Sequence, residues 1–281
     1  MTATRFGVHE VRGDALDALA GAPTADGAYT LATPLAGVPE RGLFVAVRAG
    51  APREGYLATV GVAQTVPHGE LRDRLRLDVP GVAALVHVAP LAPDAWHVPL
   101  DVMVEELPHG LRSHEWAGGA VPVATACDLG RQVGAVVAEA HRRGVTLAGL
   151  RPEAVYVAGG LSTPQVTGVT PRSERFWETC GTVDIGVAPA FGDVWSRPEH
   201  PPGGEPVPAT DVFALACLVA FWATGEHPFP GRGPGEQQAA MAAGRHRDWR
   251  LPEPLAALLH GALAPAPQDR PPIGELLAGL R

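Results

Sequence analysis

One change of texture along this chain restricts what it can fold into. From Tyr29 to about Leu107 the apolar residues come in short runs separated by turn signals: YTLATPL, GLFVAVRAG, GYLATVGV, VAALVHV and WHVPLDVMVEEL. Runs of that length suit a small antiparallel sheet. HGELRDRLRL, between the third and fourth runs, is the one helix-like segment of this half. After Leu107 the spacing turns helical. VATACDLGRQVGAVVAEAHRRG holds apolar positions at helical spacing and closes on Arg-Arg-Gly, a helix C-terminal pattern. AVYVA and PQVTGV read as two short strands joined through 159–163. Asp211 reads as the cap of DVFALACLVAFWATG, a helix stopped by Gly225 and Pro228. PGEQQAAMAAGRH, EPLAALLHGALA and PIGELLAGLR read as three closing helices. A β-rich half followed by an α-rich half predicts an α+β fold of two lobes. The expected division is an N-terminal extension over 1–28, a small β-rich lobe over 29–107 and a larger helical lobe over 108–281.

Composition removes whole classes of chemistry. The sequence contains no lysine and no asparagine, so a Schiff-base lysine, a phosphate-cradling lysine and an asparagine metal ligand are all excluded. The net charge of -8 argues against a nucleic-acid partner or an anionic membrane surface. No uninterrupted apolar stretch reaches the ~18 residues a bilayer demands, and charges break up the first 20 residues before any signal-like core develops. Cys127, Cys180 and Cys217 are far apart, and two lie in helical patterns, which favours packed, reduced thiols in a cytoplasmic protein. His109 and His114 could share a helical face but lack further ligands at metal-like spacing, so no metal is expected.

Three segments in order carry a resemblance. DVFALACLVAFWATGEHPFPG resembles the stretch of Ser/Thr protein kinases where a helix opens with Asp and ends in T-G-x-x-P-F. LAPAPQDRPPIGELLAGL resembles that family's ending, and GVTLAGLRPEAVYV looks like its catalytic loop. The likeness is strong over about 120–281 and weaker over 29–119. It implies a protein-kinase-like bilobal fold of the bacterial, eukaryotic-like Ser/Thr type. By position, Arg197-Pro198-Glu199 looks like the family's A-P-E triplet. Glu199 would pair with Arg270, and Asp211 would hold the catalytic-loop backbone.

The same alignment implies that the family's chemical residues are replaced. Ala36, Val38 and Arg41 fall where three phosphate-loop glycines belong, and Thr59 falls at the strand lysine. Leu147-Ala148-Gly149 replaces His-Arg-Asp, so Gly149 stands for the catalytic base. Ala154 stands for the metal-binding asparagine, Gly168 for the magnesium aspartate and Arg151 for the loop lysine. Val104 would line the back of the nucleotide site, with Glu105 and Glu106 as solvated charges beside it. Asp184-Ile185-Gly186 lies too far along to serve as the metal triplet. The expectation is a degenerate member: a pseudokinase, not an enzyme and without cofactor, acting as a protein-binding, scaffolding or allosteric module. Phe176, Trp177, Phe191 and Trp195, in the 170–210 loop, are its candidate interface. Two alternatives stay open: a nucleotide-dependent transferase with relocated ligands, for which Arg41, Arg48, Arg151 and Arg172 are the nearby cations, and a small-ligand sensor.

Overall fold

The computed structural model describes residues 18–34, 43–62, 79–92, 100–147, 150–158, 164–166, 207–232 and 234–281. They fall into two compact units, a sheet unit (18–34, 43–62, 83–92, 100–107) and a helical unit comprising the rest.

In the sheet unit, five strands form: β1 (Tyr29–Pro34), β2 (Leu43–Arg48), β3 (Ala51–Val62), β4 (Leu85–Pro90) and β5 (Leu100–Glu106). All neighbours are antiparallel, in the order β1-β2-β3-β5-β4. Each expected run supplies one strand. β3 starts four residues before its apolar run, because the two-residue turn Ala49-Gly50 pairs Arg48 directly with Ala51, and Gly50 takes the positive φ of 79° that such a hairpin requires. One face of the sheet is an apolar core built from Leu31, Phe44, Ala58, Val60, Val102 and Val104.

The end of the stretch read as an extension belongs to this unit. Leu19 is buried in that same core. Residues 21–25 hydrogen-bond both outer strands: Gly21 N–H donates to Leu31 O at 2.7 Å, and Ala25 N–H donates to Pro90 O at 2.8 Å. Pro23 bridges to Thr30 and Thr24 to Leu91, so a segment of turn-type residues satisfies backbone groups that sheet edges otherwise leave unpaired.

The helical unit contains β6 (Leu111–Arg112), α1 (Ser113–Ala117), α2 (Val123–Arg142), β7 (Val155–Val157) and β8 (Gln165–Val166). It continues with α3 (Pro208–Thr224), α4 (Pro234–Ala242), α5 (Glu253–Ala262) and α6 (Ile273–Gly279). β7 and β8 pair antiparallel, with β6 on the other side of β7. α3 is apolar nearly all round and accordingly central, with Phe213, Leu215, Leu218 and Trp222 fully buried. It begins three residues before the expected cap. Pro208 occupies the first helical position after Val207, so Asp211 is a first-turn residue and not the cap. Gly225 ends it in the left-handed conformation, φ 74°. The expected helix over 68–77 lies outside the described residues.

α2 meets α3 through glycine. A Cβ on Gly130 would stand 2.6 Å from Val219 Cγ2 and 3.2 Å from Leu280 Cδ1. Gly130→Val therefore destabilises the chain by about 2 kcal/mol through overpacking. Urea unfolding checks this, and an unchanged midpoint would refute the close α2–α3 approach.

Candidate functional site

The segment that resembles a catalytic loop leaves the C-terminal end of α2 and is fixed by one buried carboxylate. Asp211, in the first turn of α3, has no solvent exposure. Its Oδ2 accepts the Leu147 backbone N–H at 2.7 Å and lies 2.8 Å from His141 Nε2. A carboxylate withdrawn this far from water is tolerated only with such partners. His141, in the last turn of α2, thus meets a carboxylate 70 positions away; neither apolar spacing nor local sequence carries a signal for that pairing. Beyond Leu147 the chain makes a 3₁₀ turn, Pro152–Ala154. Ser113 holds this turn, donating its hydroxyl to Pro152 O at 2.9 Å. Sequence reading missed Ser113, which sits fully buried at the start of a helix of only five residues.

Two candidate residues lie on this turn or at its threshold. Arg151 is 5% exposed and Ala154 is 2% exposed, the Ala154 N–H donating to Arg151 O at 3.0 Å. Ala154 therefore places a methyl group in a packed site.

Arg270 anchors the other side of α3. Its guanidinium donates to the carbonyls of Ala264 (2.8 Å), Ala209 (3.0 Å) and Pro265 (2.9 Å) and lies over the Phe213 ring, 4.7 Å from its centroid. Glu199, its expected partner, lies outside the described residues. So do Ala36, Val38, Arg41, Gly149, Gly168, Arg172, Asp184 and the aromatic set Phe176, Trp177, Phe191 and Trp195.

In the sheet unit the pleat separates two of the candidate residues. Thr59 on β3 is directly opposite Met103 on β5, whereas Val104 is opposite Ala58. Successive residues of a strand point to opposite faces, so Thr59 and Val104 cannot line one site. Val104 belongs to the apolar core, and Met103 is the β5 residue on Thr59's face. That face also carries Asp101 and Glu105, each with a partner and buried at 2% and 5% exposure, against 3% for Thr59. The expectation that Glu105 is a solvated charge is therefore corrected; Glu106 alone of the pair is exposed. Arg48, at the end of β2, is exposed.

Cys127 and Cys217 are buried free thiols, and burial pushes the Cys127 thiol above its usual range. Among the described residues, no helix is long and apolar enough to cross a membrane, and no three metal-ligating side chains gather.

No protein-family model matches the chain. It is 30% identical over 174 residues to the serine/threonine-protein kinase PkaA of Streptomyces coelicolor, a match covering 58% of this chain and 30% of that protein. Over 86 residues it is 37% identical to the probable serine/threonine-protein kinase PkwA of Thermomonospora curvata, covering 31% of this chain and 12% of that one. The chain thus spans less than a third of either curated relative. Among solved structures, Rad53 1–466 in complex with AMP-PNP matches with a TM-score of 0.64 at 16% identity, over 90% of this chain and 64% of that one. The two relatives correct the expectation of a non-enzyme, since both are named serine/threonine-protein kinases.

Asp211→Ala leaves the Leu147 N–H and the His141 ring facing an empty, buried position and costs about 3 kcal/mol. Asp211→Asn keeps one acceptor oxygen and costs less. Chemical denaturation measures both, and a loss below about 1 kcal/mol for the alanine variant would refute the anchoring role.

Proposed function

Because this chain is a homologue of bacterial serine/threonine protein kinases and carries the protein-kinase fold, we propose that it works as a regulatory domain of that kind. It engages a protein partner and handles nucleotide through arginine instead of lysine. The observation that carries the reading is Arg151: a buried arginine, at the position resembling the family's loop lysine, on the segment that Asp211 fixes at Leu147.

The reasoning is by elimination of cations. The sequence has no lysine, so phosphate must be met by arginine, by histidine or by backbone N–H groups. Among the described residues the buried arginines are Arg151 and Arg270, and both have partners; Arg270 is held by three carbonyls and a ring on the other side of α3, whereas Arg151 stands on the loop itself. On the sheet, Thr59 shares its face with two carboxylates, an arrangement that disfavours an incoming polyanion. Arginine grips phosphate with two parallel N–H donors where lysine offers a point charge, so Arg151 suits the task chemically. Thr59 and Ala154 in the lysine and asparagine positions favour the regulatory part of the proposal. A domain that keeps its internal anchors while changing its charged groups is well equipped to present a surface to another protein.

Thermal unfolding with and without Mg-ATP tests the nucleotide part, alongside transfer of labelled γ-phosphate to the chain and to a generic protein substrate. The expected result is a rise in Tm of several degrees at nucleotide concentrations well above Kd. Arg151→Ala should weaken nucleotide binding by about tenfold or more, with Arg151→Lys falling between. No rise in Tm and no label transfer at millimolar nucleotide would remove arginine-mediated nucleotide handling from the proposal.

A further inference from the structure

The segment joining α4 to α5 is packed through histidines that neither the fold nor the nucleotide proposal explains. The imidazole of His246 stands 5.0 Å from the Phe229 ring, 5.6 Å from Trp249 and 4.9 Å from the stacked imidazole of His260 on α5. Trp249 in turn stacks on His260 at 4.7 Å. Phe229 continues the ladder inward to Phe213, 5.7 Å away in the core. His246 Nε2 is buried without a hydrogen-bond partner. The backbone turns at Gly244, φ 61°, and is tied down beyond it by Arg247, whose N–H donates to Pro228 O and whose Nε donates to His227 O, both at 2.9 Å. Residues 247–251 then line a cavity of about 340 Å³ together with Val123, Ala223, Thr224 and Glu226.

We infer that His246, stacked on His260, is an acid-sensitive latch: proton uptake by His246 releases the 243–252 segment, which lines that cavity. The physical basis is that two imidazoles in face contact share one small volume, and His246 has no partner for a proton on Nε2. His246 is half-buried and His260 exposed, but a proton on His246 Nε2 would sit out of water, without an acceptor and against the His260 ring. The charged and titratable groups around His246 do not offset it. His260 is the group facing it from α5. His227 and Glu226 come from the turn after α3, and Arg247 is already engaged with both. Arg245 and Asp248 are exposed neighbours on the segment itself, and Arg270 lies two rings away over Phe213.

The sign follows from the same geometry. Burial first, and then the nearby His260, hold the His246 imidazole below its ordinary value, with a hydrogen bond to the Leu263 backbone acting the other way. The closed segment therefore binds fewer protons than the open one below the ordinary imidazole value near pH 6.5. Closure is complete above that value and is lost as pH falls, by at most tenfold in the closed-to-open ratio per pH unit for each proton.

The test is hydrogen exchange of residues 243–252 in the full chain from pH 7.5 to 5.0, corrected for intrinsic exchange, together with NMR titration of the histidine Cε1 protons. In the native chain the closed-to-open ratio should fall by at least about threefold, and by at most about tenfold, between pH 7 and 5.5. In His246→Phe, which keeps the aromatic ladder without the charge, the fall should be under about twofold over the same range. Equal pH dependence in the two proteins, or a His246 midpoint at or above 6.5, would overturn the inference. Should His246→Phe fail to fold, the native-chain titration and His260→Phe decide: removing the facing imidazole must raise the His246 midpoint, and an unmoved midpoint rejects the latch.

Discussion

An apolar helix in the middle of a core is a poor place for a charge, and the helical unit is organised around the one that α3 nonetheless carries. Asp211 is sealed from water, so its ionised form can exist there only if donors are brought to it. The first turn of α3 supplies the favourable end of the helix dipole, and the chain emerging from α2 supplies the Leu147 N–H and His141. That requirement fixes the path of the loop whatever its side chains are. Two residues upstream, the Ala209 carbonyl is met by Arg270, which also covers Phe213. One helical turn thus gives an anion to the loop and a carbonyl and a ring to the C-terminal segment. The loop's conformation is inherited from this packing. It can persist through wholesale replacement of the residues that would do chemistry on it.

How far this was legible in the sequence depends on which force set each feature. Burial of apolar surface writes itself into spacing, and the five strand runs and the helices of 123–142, 208–224, 234–242, 253–262 and 273–279 were all readable from it. Backbone pairing does not write itself into side chains, so residues 21–25, which look like an ordinary Gly-Ala-Pro-Thr turn, gave no sign that they bridge two strands. Face assignment sits between these cases. Alternation shows that a strand has two faces, but β5 is buried on both from Leu100 to Glu105, and a strand without a polar face cannot say which side its neighbours share. Only the register of Thr59 against Met103 resolves it. The start of α3 was misread for a related reason: Asp is both a good cap and a good first-turn residue, and Pro208 three positions earlier was the stronger signal.

Charge is where the family likeness and this chain part company, and the consequences follow from electrostatics. Phosphoryl transfer asks a protein for positioning and for compensation of negative charge. The positioning elements of the helical unit are present and buried. Compensation must come without lysine, and the face of β3 and β5 that holds Thr59 presents Asp101 and Glu105 instead. Two buried carboxylates raise the electrostatic cost of an approaching triphosphate, and that cost is steepest where water is excluded. Arg151, in the helical unit, stands on a loop whose backbone Asp211 already fixes at Leu147. Arginine there brings a planar fork that keeps its charge at any physiological pH, which a relocated lysine, readily neutralised on burial, would not guarantee. On the proposed reading, the physics of burial favours a phosphate grip on the pinned loop over one on the sheet.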